Sequence, residues 1–314
     1  MNLLDKEIKV ATMLAERATE ITEWFRVKGF KSYKKKDKSP VTIADFGSQI
    51  YILNELKNQF PSDEIIAEEE SEIDLDGEDL KVINKCFSEL NIKISIKDYE
   101  SILNYRGSKS KRQWTVDPID GTKGFQKNLS YAVGIGLMLD SMPQLGVIAA
   151  PNYDNGKCAI FRAIKGSGSE FSYKNDNDFK KIKMRLEISL NDAILCHSLH
   201  YDEPWVMTLA KRAGISNFIQ MDSMAKFCLI ASGKADIYIK PLAKDRTYSW
   251  DFLPGILIVE EAGGIVSDLN GNPIKFQGEK CQITASGLIA SNKQIHSSLL
   301  NVLKDEIFSH LLTI

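Results

Sequence analysis

One stretch of the chain says most about its fold and chemistry: Trp114-Thr115-Val116-Asp117-Pro118-Ile119-Asp120-Gly121-Thr122-Lys123-Gly124-Phe125. Its first residues are aromatic or β-branched, which is typical of a buried strand. Pro118 fixes the turn that follows, and Asp120-Gly121-Thr122 is suited to the start of a helix. The pattern therefore predicts a strand that ends at Asp117 and a helix that begins just after Asp120.

This arrangement places the carboxylates of Asp117 and Asp120 close together, beside the N–H groups of a helix start. Unpaired carboxylates at such a distance repel each other, so they either share a proton or hold a cation between them. Oxygen ligands of this kind favour Mg²⁺ or a similar ion. A second interpretation stays open, because Asp-Pro and Asp-Gly are common in turns and Asp120 could be a plain helix cap.

Other acidic residues also lie at the ends of predicted elements. A short buried strand over residues 64–67 delivers Glu68, and Trp250-Asp251 precedes a helical pattern that continues to residue 262. Side chains at element ends can converge on one site. Trp250 itself is expected to be a packing anchor beside Asp251.

Towards the N-terminus, apolar residues at helical spacing predict one helix from Leu4 to Phe25 and another after Asp45. The lysine-rich segment 34–42 between them is predicted to be a polar turn, either a solvated loop or a region that attracts phosphate. Residues 71–112 are charged and weakly periodic, and they are predicted to form a helical insertion.

Towards the C-terminus, residues 114–163 predict successive strands in a mainly antiparallel sheet. Gly134-Ile135-Gly136 is predicted to be a strand that packs closely against a neighbour. After about residue 185, strands and helices alternate, which indicates an α/β arrangement. The polar stretch 173–183 divides the chain into an N-terminal α+β half, 1–180, and a C-terminal α/β half, 181–314.

Composition restricts the possible partners. The chain has 314 residues, of which 43% are hydrophobic and 26% are charged, and its net charge is -2. This balance predicts a soluble globular protein without the basic field that binds nucleic acid. The charged start and the absence of a long apolar run predict a cytoplasmic protein with no membrane partner. Five cysteines without a C-x-x-C pair are expected to be reduced.

The acidic motifs together resemble a known family. The combination of Ala67-Glu68-Glu69, Asp117-Pro118-Ile119-Asp120-Gly121-Thr122, and Trp250-Asp251 with the downstream Glu261-Ala262-Gly263-Gly264 is similar to the inositol monophosphatase superfamily of lithium-sensitive, Mg²⁺-dependent phosphatases. Within it, the closest likeness is to the 3'(2'),5'-bisphosphate nucleotidases. That likeness runs from about residue 36 to residue 292, and it includes Lys38-Ser39-Pro40-Val41-Thr42, His197-Ser198-Leu199-His200 and Asp222-Ser223-Met224-Ala225-Lys226-Phe227.

The resemblance implies a layered αβαβα sandwich of the inositol monophosphatase and fructose-1,6-bisphosphatase type. It implies that about two or three Mg²⁺ ions are bound and that Li⁺ inhibits. The implied metal ligands are Glu68, Asp117, the carbonyl of Ile119, Asp120 and Asp251. Asp45 and Thr122 are implied to orient and deprotonate the attacking water. The implied substrate contacts are Gly121, Thr122, His197, Ser223, Lys226, Lys240 and Asp251.

The expected partner is a small phosphorylated nucleotide, 3'-phosphoadenosine 5'-phosphate, with 3'-phosphoadenylyl sulfate as a second candidate substrate, and the expected assembly is a monomer or dimer. The alternative is a phosphatase of inositol monophosphate or inositol 1,4-bisphosphate, and a nucleotide-binding sensor without turnover is a third reading. Lys240-Pro241 stands where the family commonly has arginine, so recognition there loses a bidentate donor. Without the resemblance, a core histidine is the better interpretation of His197.

Overall fold

A computed structural model describes residues 3–70, 73–176, 178–200, 204–242, 247–278 and 281–305. The helices are α1 (Asp5–Lys28), α2 (Ile43–Gln59), α3 (Gly77–Glu89), α4 (Tyr99–Leu103), α5 (Thr122–Gln126), α6 (Pro204–Arg212), α7 (Ala225–Ala231), α8 (Ser249–Glu261) and α9 (Lys293–Leu303). Among these helices, none combines the length and the apolar character that crossing a membrane requires.

The strands of the first half are β1 (Ser32–Lys34), β2 (Pro40–Thr42), β3 (Glu64–Ala67), β4 (Arg112–Asp120), β5 (Ala132–Leu139), β6 (Met142–Asp154), β7 (Lys157–Ile164), β8 (Gly168–Tyr173) and β9 (Lys180–Ile182). Strands β3 to β9 form a seven-stranded sheet in chain order. Only the β3–β4 pair of this sheet is parallel. The predicted antiparallel-rich sheet is therefore confirmed.

The remaining strands are β10 (Ile194–His197), β11 (Asn217–Gln220), β12 (Ile237–Pro241), β13 (Ile265–Asp268), β14 (Phe276–Gln277), β15 (Gln282–Ile283) and β16 (Gly287–Ser291). Five of them form a second sheet in the order β11-β10-β12-β16-β13. Strand β10 runs parallel to both β11 and β12, as alternation of strands and helices predicts. The seven-stranded sheet extends to Ile182, slightly past the predicted division at residue 180, which stays a prediction.

Three apolar cores lie between the layers of helices and sheets and hold them together. The first joins α1 and α2 to one face of the large sheet, and the second joins its opposite face to α7, α8 and the small sheet. The third packs α6 and α9 on the outer face of the small sheet. The order helix, sheet, helix, sheet, helix confirms the expected αβαβα sandwich.

Close packing of α8 on the large sheet depends on glycines of β5 and β6. A Cβ on Gly146 would lie 2.7 Å from the carbonyl oxygen of Pro254, and one on Gly136 would lie 2.4 Å from a methyl carbon of Leu253. The contact at Gly146 is with backbone, which cannot move aside, so this glycine lets the helix backbone approach the strands; the contact at Gly136 is with the end of a flexible side chain. The predicted close approach at Gly134-Ile135-Gly136 is confirmed, and it brings the start of α8, with Asp251, to the sheet.

Three segments differ from or sharpen the sequence-based expectations. Strand β4 was predicted to end at Asp117, but it continues through a bulge to Asp120. In the lysine-rich segment the predicted turn lies within residues 35–39, and it joins β1 to β2, whose backbones pair from Ser32↔Thr42 to Lys34↔Pro40. Residues 73–112 of the predicted helical insertion contain α3, a 3₁₀ turn at Ile96–Asp98 and α4, while residues 71 and 72 lie outside the described ranges. Lys31, just before the hairpin, pairs with Asp79 at 2.7 Å, so the insertion anchors the hairpin.

Candidate active site

A cavity of about 530 Å³ lies where the two sheets and several helix starts meet. It is lined by the tip of the β1–β2 hairpin, the residue after β3, the end of β4 with the start of α5, the start of α7, the end of β12 and the start of α8. Its volume falls in the range of cavities that hold a small organic ligand. Most of the motifs that the sequence singled out therefore meet in one place.

Three carboxylates form the centre of the cavity. One oxygen each of Asp117, Asp120 and Asp251 lies within 4.8 Å of the other two. Asp117 and Asp120 are brought together by a β-bulge between them in β4, which Pro118 accompanies. Asp251 is the third residue of α8, where its side chain accepts the N–H of Tyr248 at 3.4 Å.

The surroundings make this cluster unfavourable without a cation. Burial, and then the charge of Glu68, raises the pKa of both Asp117 and Asp251 well above the ordinary value. Burial also raises the pKa of Asp120 to about 6, although the charge of Lys226 opposes the shift. Oδ1 of Asp117 accepts the N–H of Ile119 at 3.1 Å, but its buried Oδ2 has no hydrogen-bond partner in the described part of the chain. Mg²⁺ prefers oxygen ligands, and a buried carboxylate oxygen that accepts no hydrogen bond is available to bind a cation, so the cluster fits this ion.

Glu68 belongs to the same cavity but is already paired. Its N–H extends the β3–β4 ladder by donating to the carbonyl of Val116 at 3.1 Å. Its Oε1 accepts Nζ of Lys35 at 2.8 Å, and Lys35 also reaches Oε1 of Glu69 at 2.8 Å. Within the described residues, Glu68 is not part of the 4.8 Å group. Its role as a metal ligand stays a prediction.

Asp45 is held by the cap of α2. Its Oδ2 accepts the N–H and the hydroxyl of Thr42 at 2.8 and 2.6 Å, while its fully buried Oδ1 has no hydrogen-bond partner among the residues that the structure describes. Burial raises the pKa of Asp45 to about 7, the charge of Glu68 adds to the shift, and the bonds from Thr42 oppose it. A carboxyl with this pKa can exchange a proton near neutral pH.

Thr122 lines the cavity at the start of α5. Its hydroxyl donates to the carbonyl of Ile119 at 3.3 Å. The hydrogen bond from Thr122 to Asp45, which a relay requires, stays a prediction. Gly121 precedes it in a left-handed conformation with φ 87°, and a Cβ there would meet Cβ of Ser223 at 3.0 Å. Glycine therefore lets the two motifs touch.

Two lysines also line the cavity, Lys226 and Lys240. Lys226 is 5% exposed, and its Nζ donates to the carbonyl of Met221 at 3.3 Å. Burial, and then the charge of Lys240, lowers the pKa of Lys226. Ser223 lines the same cavity, and the N–H of Met224, next to Ser223, donates to Asp120. A hydrogen bond thus joins the segment before α7 to the carboxylate cluster.

The two histidines of one motif have different positions. His200 lines the cavity and hydrogen-bonds Asp222, whose other oxygen accepts the hydroxyl of Ser198 at 3.1 Å. Among the described residues, His197 is not part of the cavity wall, and its ring lies 6.1 Å from that of Phe218. Its substrate contact stays a prediction. Sequence reasoning overlooked His200 and Lys35, although both lie inside segments it quoted.

Two other residues of the motifs that resemble the family, Glu261 and Trp250, make contacts that support the fold. Glu261 accepts the N–H of Gly166 at 2.7 Å and that of Gly168 at 2.8 Å, which ties the end of α8 to the β7–β8 hairpin. Trp250 is 5% exposed and stacks on Tyr248 with the rings 4.4 Å apart. The prediction that Trp250 is a packing anchor is confirmed.

Comparisons with solved structures agree with this architecture. The extragenic suppressor protein suhB from Bartonella henselae has a TM-score of 0.70 at 22% identity, with 96% of this chain and all of that chain covered (100%). An IMPase from Thermotoga maritima has a TM-score of 0.70 at 20% identity, with 98% of this chain and 99% of that chain covered. These likenesses establish the fold.

Comparisons of sequence are more specific. The model of the Inositol monophosphatase family matches residues 3–307. A 3'(2'),5'-bisphosphate nucleotidase from Emericella nidulans is 32% identical, over 96% of this chain and 98% of that protein. A protein of the same name from Schizosaccharomyces pombe is 32% identical over 94% of each chain. This chain therefore belongs to the inositol monophosphatase family, among relatives of the 3'(2'),5'-bisphosphate nucleotidase type.

Proposed function

We propose that this protein is a Mg²⁺-dependent, lithium-sensitive phosphatase that hydrolyses the 3'-phosphate of 3'-phosphoadenosine 5'-phosphate to AMP and phosphate. The observation that supports it most is one cavity that is lined both by a carboxylate cluster and by Lys226 and Lys240. The carboxylates suit a metal-assisted attack on a phosphate, and the lysines suit a substrate with more than one anionic group. Relatives named as bisphosphate nucleotidases support the choice of nucleotide.

A phosphate monoester is hard to hydrolyse because its negative charge repels the nucleophile and its alkoxide is a poor leaving group. Glu68, Asp117, the Ile119 carbonyl, Asp120 and Asp251 would hold the Mg²⁺ ions. When bound, such ions acidify a water and stabilise the departing oxygen. The raised pKa values of Asp117 and Asp251 support this assignment, since a nearby cation is what would let both carboxyls ionise.

The protein's own groups then bind, orient and move protons. The free Oδ1 of Asp45 is the proposed final proton acceptor, and the Thr122 hydroxyl is the proposed link between it and the attacking water. The N–H groups of Gly121 and Thr122 orient the phosphate that is cleaved. Ser223, Lys226 and Lys240 bind the remaining anionic groups, and His197 is retained as a proposed nucleotide contact. We include 3'-phosphoadenylyl sulfate as a second substrate, because it carries the same 3'-phosphate.

A substrate panel tests the proposal. Phosphate release should be measured from 3'-phosphoadenosine 5'-phosphate, from AMP, from inositol 1-phosphate and from inositol 1,4-bisphosphate, each with Mg²⁺, with a chelator and with added Li⁺. We expect release from the bisphosphate nucleotide only with Mg²⁺, little release from AMP, and inhibition by millimolar Li⁺. Preferred cleavage of an inositol phosphate would reject the nucleotide and keep the reaction class.

A pair of variants separates turnover from binding. Asp120→Asn should abolish release, whereas Asp98→Asn, at an exposed position without a capping hydrogen bond, should leave it unchanged. Nucleotide binding with no hydrolysis at saturating Mg²⁺ would instead identify a sensor. In that case Asp120→Asn would have nothing to abolish.

A further inference from the structure

Lys35 is a cation placed among the acids of the site by the hairpin turn. The turn is closed by the N–H of Lys35, which donates to the carbonyl of Ser39 at 2.9 Å, and by the N–H of Lys38, which donates back to Lys35 at 2.8 Å. The side chain of Lys35 is 16% exposed, and its Nζ lies 2.8 Å from Oε1 of Glu68 and 2.8 Å from Oε1 of Glu69. The ammonium group therefore bridges two neighbouring carboxylates.

Glu69, one of these two acids, is held firmly in place. Gln49 accepts the N–H of Glu69 at 2.9 Å and donates to its carbonyl at 2.7 Å. Arg106, from the end of the insertion, donates to the same carbonyl at 2.9 Å. The Glu69 side chain is only 3% exposed. The backbone clamp and the burial of the side chain therefore hold Glu69 beside Lys35.

We propose that Lys35 is a built-in competitor of the divalent ion at Glu68, and that its charge sets how tightly this site binds divalent cations. The proposal rests on the proposed Mg²⁺ dependence. Two cations that share Glu68 repel each other, and this repulsion is weakly screened in a half-buried site. Without a divalent ion, the same lysine offsets the repulsion between Glu68 and the buried Glu69.

Loss of the Lys35 charge should have opposite effects on stability and on divalent binding. This distinguishes a competitor of the ion from a lysine with a purely structural role. Removal of the Lys35 charge should destabilise the ion-free protein, because Glu69 is then buried without a counter-charge. The same change should tighten divalent binding, because the ion no longer faces an ammonium group. A lysine that merely holds Glu68 in place would do the reverse, and its removal would weaken binding.

Calorimetric titration of the full chain with Mn²⁺ and with Mg²⁺ tests this at a pH of about 8, where carboxyls are ionised in model compounds. Lys35→Met keeps the apolar stem and removes the charge, whereas Lys35→Arg keeps the charge. Lys36→Met is the matched control, since Lys36 is exposed in the same turn. We expect Lys35→Met to tighten binding by about tenfold, and both other variants to remain close to the wild type.

Thermal melting of the same proteins supplies a second readout. We expect Lys35→Met to melt lower than the wild type in a chelator and to gain more from Mg²⁺. Equal or weaker binding by Lys35→Met would overturn the competitor role and leave the proposed function intact. Absence of divalent binding to the wild type and to Lys35→Met alike would overturn both.

Discussion

Replacement of Asp117 by asparagine tests whether the carboxylate cluster is strained without ions. Asparagine keeps the shape of the side chain, and its Oδ1 can still accept the N–H of Ile119. The new amide replaces the lone Oδ2 with a donor beside the carboxylates of Asp120 and Asp251. Asp117→Asn should therefore stabilise the ion-free protein, although most substitutions of buried polar residues destabilise.

The magnitude follows from the geometry of the cluster. The carboxylate oxygens of the cluster lie at most 4.8 Å apart. Two unit charges at this distance repel by about 3.5 kcal/mol at an effective dielectric constant of about 20. The raised pKa of Asp117 means that protonation relieves part of this repulsion in the wild type. We expect a gain in the free energy of unfolding of about 1 to 3 kcal/mol at neutral pH.

Chemical and thermal unfolding should be measured in a chelator and in saturating Mg²⁺. In Mg²⁺ the order should reverse, because the variant lacks a ligand, and phosphate release should fall by at least about a hundredfold. Asp236→Asn is the control: Asp236 is also fully buried, but Arg185 donates to it at 2.9 Å, so its replacement should destabilise. Loss of stability in the chelator for Asp117→Asn, or an undiminished stabilisation by Mg²⁺, would refute the reasoning.

Three further predictions use other parts of the site. Burial raises the pKa of Asp45 to about 7 and that of Asp120 to about 6, from an ordinary value of 3.8. Because these groups favour folding most when protonated, the free energy of unfolding of the ion-free protein should fall as the pH rises from about 4 to about 7. A flat or rising free energy of unfolding over this pH range would contradict this. Gly146→Ala should displace α8 and weaken both stability and divalent binding, while Gly77→Ala, whose Cβ meets nothing within 4 Å, should be neutral in melting and titration experiments. Lys226→Gln should raise the KM for 3'-phosphoadenosine 5'-phosphate far more than that for a simple monophosphate, and equal effects in steady-state kinetics would remove its assigned contact.

Local sequence patterns predicted much of the fold. The periodicity of residues 4–25 predicted α1, and the β-branched runs of residues 114–163 predicted strands β4 to β7 of the large sheet, because burial imposes the spacing of apolar residues. The pairing of β1 with β2 was not predicted, since each strand has only three residues and the segment between them is rich in lysine. The late elements β13, β16 and α9 were likewise not specified.

Some residues of the candidate site could be predicted from the sequence, and others could not. Acids at element ends could be named because each motif is local and chemically distinctive. The ion pair from Lys35 to Glu68 joins residues 33 positions apart, and neither motif indicates it. The choice between His197 and His200 depends on how β10 ends and which side chain then faces the cavity, and this is set by tertiary structure.

Anomalous scattering from a crystal grown with Mn²⁺ tests the central claim most directly. We expect a strong anomalous peak between the carboxylates of Asp117, Asp120 and Asp251, with oxygen ligands at the short distances of a coordinated ion. The same peak should disappear in crystals of Asp117→Asn grown under identical conditions. A wild-type crystal with no peak among these three carboxylates, at a Mn²⁺ concentration that supports phosphate release, would contradict the account.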